Sequence, residues 1–370
     1  MIVIATSVSV ASVLIVVLPL VFCCRFCQHK KTISDPKQHT TPPSSDVDID
    51  INKLPSNELY HQRLPSTTSD IDSRLGSFEY RRNNIVHVSD IGRGAFGSIF
   101  RAKAYGIVAG REWSDVAVKV LDEQSTDEAR RDFLRVAVTM SELRQTNILS
   151  LLGVCLTSLP TCLVVEYMNL GDLREYLRGC SPEHFILRRQ SLKPKLSPPE
   201  LVDISQQVAA GMQHLSSLGF VHRDLASRNC LASTRPLIIK ISDFGLVQRL
   251  DAEFYQGDDN DAIAVRWMPL ESIFYNRFTT KSDVWSFGVT MWEIFSFAMQ
   301  PYGHMTPSEV VKYVSRGNVL CCPDGAPERV YDMMLACWSS NPDLRPTFSH
   351  LYTSLSILHK TLNAKLKVFF

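Results

Sequence analysis

Val, Ile, Leu and Ala dominate the first 24 residues, Met1 to Cys24, which carry no charged side chain. An apolar run of that length predicts a helix matched to a hydrocarbon core of about 30 Å. From Lys31 to about Asn84 the chain is rich in Ser, Thr, Asp and Pro with little periodicity, which predicts a flexible linker. Short β-type runs begin at Val86, and Val116 to Leu121 and Cys162 to Tyr167 are predicted strands bounded by polar turns. Between them, Ser125-x-x-Glu128 has the spacing of a capping box and opens a predicted helix with the apolar stripe Phe133, Val136, Ala137, Met140 and Leu143. After Pro199 the period is helical almost throughout. Leu201, Ile204, Val208, Met212 and Leu215 line one helix, and Val284 to Phe297 form a largely apolar, hence buried, one. Strands first and helices afterwards predict an α+β chain of two lobes with a cleft between them. Residues 180 to 198, with Arg188, Arg189, Lys193 and Lys195, read as a basic solvated insertion between two helices.

Composition and charge narrow the function classes. With 45% apolar and 21% charged residues the chain has an ordinary globular balance. A net charge of +1 gives no global field to favour nucleic acid, so no nucleic-acid partner is expected. Arg25, Lys30 and Lys31 directly follow the apolar run and no basic residue precedes it, which predicts one membrane span with the rest of the chain cytoplasmic. A cleaved signal peptide would show a basic leading segment and an Ala-x-Ala site, which this run lacks. Ten cysteines, most of them beyond residue 150, read as reduced cytosolic thiols; Cys23, Cys24 and Cys27 lie where S-palmitoylation or a plain helix end are equal readings.

Four short segments carry the candidate chemistry. Gly92, Gly94 and Gly97 follow a predicted strand and lead into another, so that a hairpin backbone can approach phosphates without side chains in the way. Lys119, about 20 residues on in Val-Ala-Val-Lys, offers a cation for phosphate oxygens. In His222-Arg223-Asp224, Asp224 can accept the proton of an attacking hydroxyl, and Asn229 follows five residues later as an oxygen ligand for a metal. Asp243, in Asp-Phe-Gly, adds a second hard oxygen of the kind Mg²⁺ prefers. Each segment is weak alone; their order and spacing together are not.

This ordered set resembles the protein kinase family over residues 85–358. Pro269-Leu270-Glu271, Asp283 to Gly288, Cys337-Trp338 and Arg345-Pro346 also fit it, and the resemblance implies a Glu271–Arg345 pair in the large lobe. It further implies ATP and Mg²⁺ as cofactors. Ile91, Gly92, Gly94, Gly97, Ile99, Ala117, Lys119, Glu166, Met168 and Leu231 would surround the nucleotide, with Val165 beside the hinge. Asp224-Leu-Ala-Ser-Arg228-Asn229 is similar to the tyrosine-specific branch, where Arg228 supports the catalytic base, and Val265 to Pro269 would brace a phenol ring. Within that branch, Asn260 to Ile263 and Glu271 to Thr280 resemble the muscle-specific receptor kinase and its Ror and Trk relatives.

The expected organisation is therefore a transmembrane helix at 1–24, a flexible juxtamembrane segment at 25–84, a bilobal tyrosine kinase domain at 85–358 and a tail at 359–370. Protein tyrosine substrates and dimerisation for trans-phosphorylation are implied. Tyr60, in Asn57-Glu58-Leu59-Tyr60, is a docking candidate for a phosphotyrosine-binding adaptor, and Tyr255 is a candidate regulatory site. A receptor kinase normally carries an ectodomain, so this arrangement reads either as part of a longer product or as a naturally short receptor.

Besides Leu270, which stands where the family usually has Pro, two places depart from the family pattern. Counting back from Asn147-Ile148 puts Val136 where the family has a glutamate that pairs with the phosphate-binding lysine. Asp243, Glu142 and Glu128 are the substitutes that could reach Lys119. In the activation segment, Phe254 and Tyr255 stand where related receptors carry three tyrosines. A scaffold with weak or no catalysis is the alternative reading that Val136 raises.

Overall fold

The computed structural model describes residues 73–182, 195–234, 236–250, 253–256 and 264–368, with side chains as far as residue 364. The expected span at 1–24, Tyr60 and most of the basic insertion lie outside them. Among the described residues, no helix is long and apolar enough to cross a membrane.

The smaller lobe is a five-stranded antiparallel sheet ordered β1–β2–β3–β5–β4. Its strands are β1 (Ile85–Gly94), β2 (Gly97–Tyr105), β3 (Trp113–Val120), β4 (Leu151–Cys155) and β5 (Cys162–Glu166), with α1 (Asp127–Glu142) between β3 and β4. Helix α1 lays Phe133, Val136, Ala137 and Met140 on one face of the sheet, as its stripe predicts. The opposite face is covered by a smaller cluster built on Ala102, Val116, Val118, Cys155, Cys162 and Val164. The start of α1 differs from expectation. Thr126, not Ser125, is the N-cap, and its side chain accepts the Ala129 N–H at 3.2 Å. Thr126→Ala should therefore cost about 1 kcal/mol in denaturant unfolding, whereas Ser125→Ala should stay within about 0.5 kcal/mol. The reverse ranking would restore the capping box.

The larger lobe begins with β6 (Gly171–Asp172), α2 (Leu173–Gly179) and α3 (Pro198–Ser217). Helix α3 opens on a Ser197–Glu200 capping box with Pro at its start. Its residues Ile204, Val208, Met212 and Leu215 are fully buried. Then follow β7 (Phe220–Val221), β8 (Cys230–Ser233), β9 (Ile238–Ile241), β10 (Gln248–Arg249), β11 (Tyr255–Gln256), α4 (Leu270–Tyr275), β12 (Arg277–Phe278), α5 (Thr280–Phe295), α6 (Pro307–Ser315), α7 (Glu328–Cys337) and α8 (Phe348–Val368). Helix α5 is buried almost along its whole length, which is what an apolar run without a polar face requires. The bidentate Arg345–Glu271 pair forms as the resemblance implies, at 2.5 and 3.1 Å, and ties α4 to the segment ahead of α8.

Segments on either side of 85–358 pack against the domain. Residues 73–84, expected as the end of a loose linker, pack on the small lobe. Leu75 is fully buried, the Tyr80 N–H donates to the Val154 carbonyl at 2.7 Å, and the Glu79 carboxylate accepts from the Leu156 and Thr157 N–H groups. This strap covers β4, the edge strand, whose unpaired backbone groups would otherwise face water. Its apolar anchors are too widely spaced to register as a period. At the other end, α8 does not stop at 358. Leu355, Leu358 and Leu362 continue one apolar stripe onto the core, and His359 reaches Asp203 of α3 at 3.8 Å.

Candidate functional site

The lobes enclose a cleft of about 440 Å³. Its roof is the β1–β2 hairpin, in which Gly94 pairs with Gly97. Gly97 has φ +149°, and a Cβ there would meet the Val120 carbonyl oxygen at 2.3 Å, so only glycine lets the hairpin lie against the end of β3. Phe96, at the tip, tucks onto Phe133 of α1 with ring centroids 5.5 Å apart. Ile91, Gly94, Gly97, Ile99, Ala117, Lys119, Glu166, Met168 and Leu231 line the cleft, joined by Arg228, Asn229 and Asp243 from the larger lobe. Gly92 lies in the hairpin just outside that lining, with open space where a Cβ would stand. The Glu166 side chain is already engaged: it accepts the Ser150 N–H at 2.7 Å and pairs with Lys240 at 2.7 Å, which leaves the backbone of Glu166 for a ligand.

Lys119 sits mid-sheet, flanked in register by Ile99 and Leu163. Burial pushes its ammonium below the usual lysine range, and the negative charge of Asp243 opposes that shift without cancelling it. Val136 lines the same cleft from α1, as the count from Asn147 predicts. Among the described residues no carboxylate forms an ion pair with Lys119. Of the expected substitutes, Glu142 is engaged elsewhere, with Arg74 of the strap and, at 3.6 Å, with Arg249. Glu128 lines a separate cavity between α1 and Tyr255. Asp243 remains as the charge that acts on Lys119.

The segment from His222 to Asn229 is fixed by buried carboxylates. Asp283, at the start of α5, accepts the His222 and Arg223 N–H groups at 2.7 and 3.0 Å and so clamps a backbone in which Arg223 takes φ +70°. Glu293, near the end of the same helix, accepts from Ser227 N–H at 3.0 Å, Ser227 Oγ at 2.7 Å and Trp267 Nε1 at 2.9 Å. Burial raises both carboxyls, opposed by the donors and cations around them. Glu293 was not among the residues expected here; its signal is a charge inside an otherwise apolar helix. Between these anchors, Asp224 pairs with Arg228, and its Oδ2 accepts from Asn229 Nδ2 at 2.7 Å. Arg228 in turn lies 4.4 Å over the Trp267 ring. Asn229 thus spends its donor on Asp224 and keeps its carbonyl oxygen for another ligand. The Phe244 ring is buried near His222, which holds the Asp-Phe-Gly turn inward.

Tyr255 lies apart from this cleft, paired with Phe278 across β11 and β12. The Arg223 guanidinium sits 4.6 Å from its ring and 4.4 Å from that of Phe278.

Residues 85–355 match the family described as protein tyrosine and serine/threonine kinase. The chain belongs to that family. Among curated relatives, the BDNF/NT-3 growth factors receptor of Gallus gallus is 38% identical over 326 residues, covering 86% of this chain and 40% of the receptor. The NT-3 growth factor receptor of Mus musculus is 40% identical over 284 residues, covering 76% and 34% respectively. The tyrosine-protein kinase transmembrane receptor Ror of Drosophila melanogaster is 36% identical over 301 residues, covering 81% and 42%. These names agree with the Trk and Ror resemblance and with a receptor tyrosine kinase. The chain spans about two fifths or less of the length of these relatives.

Proposed function

We propose that the chain transfers the γ-phosphoryl group of ATP to tyrosine hydroxyls of proteins, as the kinase part of a membrane-anchored receptor. The observation that carries this reading is the convergence of Lys119, Arg228, Asn229 and Asp243 on one cleft under a glycine hairpin, with Asp224 held beside it by Arg228 and Asn229. Asp224 acts as the base for the incoming hydroxyl. Arg228, stacked on Trp267, balances the charge beside it, and the 265–267 turn braces the phenol ring of the substrate. Lys119 holds the α- and β-phosphates, and the 166–168 backbone meets the adenine between Ala117, Ile99 and Leu231.

The site fits a divalent cation. Asn229 Oδ1 and the Asp243 carboxylate are hard oxygens on the same cleft, a set that Mg²⁺ completes with phosphate oxygens and water. When bound, Mg²⁺ neutralises charge on the transferring phosphate. Tyr255 is the regulatory tyrosine in this reading: a phosphate there would turn its stacking on Arg223 into a charge-assisted contact. Tyr60 as an adaptor site, the span at 1–24, a cytoplasmic kinase domain and dimerisation for trans-phosphorylation belong to the same proposal. The names of the relatives support a receptor context.

A second reading, a scaffold that binds nucleotide or partners with weak or no turnover, is favoured by Val136, an apolar residue of α1, lining the same cleft as Lys119. The full chain, given ATP, Mg²⁺ and a mixture of tyrosine- and serine-containing peptides, separates the two. Phosphotyrosine is expected, without phosphoserine, and chelating the cation should remove it. Phosphate on serine, or transfer that survives chelation, would contradict the proposal.

A further inference from the structure

Cys155 ends β4 and Cys162 begins β5, and the two are direct partners across the antiparallel ladder. Both are fully buried in the same small cluster on the outer face of the sheet, so their side chains share one face. Directly opposed residues of such a ladder have Cα atoms roughly 4.5–5.5 Å apart, within the roughly 4.4–6.8 Å that a disulfide spans. Arg82, a half-buried residue of the strap, donates from Nη1 to Cys162 Sγ at 3.6 Å and to the Pro160 carbonyl at 3.2 Å. A half-buried guanidinium is thus a direct neighbour of that sulfur. None of these three residues has a part in the phosphoryl-transfer cleft.

We propose that Cys155 and Cys162 are a peroxide-sensitive thiol pair that closes to a disulfide across β4 and β5. Cys162 is the attacking sulfur because the arginine faces it. Its thiol is held below the usual range by the hydrogen bond from Cys155, and Arg82 adds to this, whereas that of Cys155 is raised. The Cys162 thiolate attacks one oxygen of hydrogen peroxide, the O–O bond breaks, and a sulfenic acid and hydroxide result. The Cys155 sulfur then attacks the Cys162 sulfur, the S–O bond breaks, and the departing hydroxide takes up the Cys155 proton as water. In sum, two thiols and one peroxide give one disulfide and two waters, with two electrons passing from sulfur to oxygen. Cys230 and Cys337 serve as internal references: both are fully buried, and burial raises their thiols well above the usual range.

Graded hydrogen peroxide, applied to the reduced full chain freed of reductant, tests the pair. After unfolding and alkylation, the tryptic peptide from Gln145 to Arg174 carries both cysteines and has no internal cleavage site. It should lose the mass of two hydrogens and take up no alkylating reagent at doses that leave Cys230 and Cys337 fully alkylated. Cys155→Ser should leave a sulfenic acid at Cys162 that dimedone traps, and Cys162→Ser should leave Cys155 unreactive. Arg82→Gln should slow closure, because the positive charge that favours the Cys162 thiolate is lost. If Cys155 and Cys162 stay as fully alkylated as Cys230 and Cys337 at every dose, the proposal fails. It fails equally if the cross-link forms only in protein unfolded before oxidation, or if dimedone marks Cys155 and not Cys162.

Discussion

Asp224→Asn should lower kcat for tyrosine phosphorylation about 10²- to 10⁴-fold, the usual contribution of a positioned general base. The substitution keeps the shape of the side chain and removes its charge. Asn229 can still donate to the remaining oxygen, so the loop held by Asp283 and Glu293 should keep its place. ATP affinity should change little, because the residues around the nucleotide are untouched. Steady-state rates set beside nucleotide binding and thermal unfolding check this. A variant within tenfold of the native rate would remove Asp224 from the role of base.

Val136→Glu should raise kcat. A carboxylate on α1 at this position would face Lys119 in the cleft and hold its ammonium on the phosphates. About tenfold, or about 1.4 kcal/mol of transition-state stabilisation, is the expected scale. The pH profile gives a second, independent readout. Burial holds the Lys119 pKa below the usual range, so in the native chain the cationic form, which the phosphates require, is lost at a lower pH than for an ordinary lysine. The alkaline limb of kcat/KM should therefore begin early. In the variant, the added negative charge favours the ammonium, and the limb should move to higher pH. A gain in rate with an unmoved limb would mean that the glutamate acts elsewhere on α1. Stability is a poorer guide, because a buried ion pair often only breaks even against an apolar residue.

Most of the site is legible in the residue order. The glycine hairpin, Lys119, Asp224, Asn229 and Asp243 are local signatures, and the fold needs only to bring them onto one cleft. That Val136 lines the cleft is legible too, because α1 is a regular helix whose apolar stripe fixes its phase. What the sequence conceals is long-range. Glu293 touches Ser227 and Trp267, residues 66 and 26 positions away, and nothing local marks it except a charge among apolar neighbours. The strap at 73–84 is hidden for another reason. It holds by backbone bonding to an edge strand and by isolated anchors such as Leu75 and Tyr80, which leave no period. The N-cap of α1 shows a smaller limit: Ser125 and Thr126 are chemically equivalent caps, and only the helix phase chooses between them.

In the proposed function this cleft completes phosphoryl transfer although α1 brings valine, not glutamate, to the cleft of the lysine. A single-turnover experiment tests it most directly, with the full chain in excess over γ-labelled ATP, Mg²⁺ and a tyrosine peptide. The label should pass from bound nucleotide to the tyrosine, slowly but completely. Bound ATP that keeps its label while the peptide stays unmodified would contradict it and leave the scaffold.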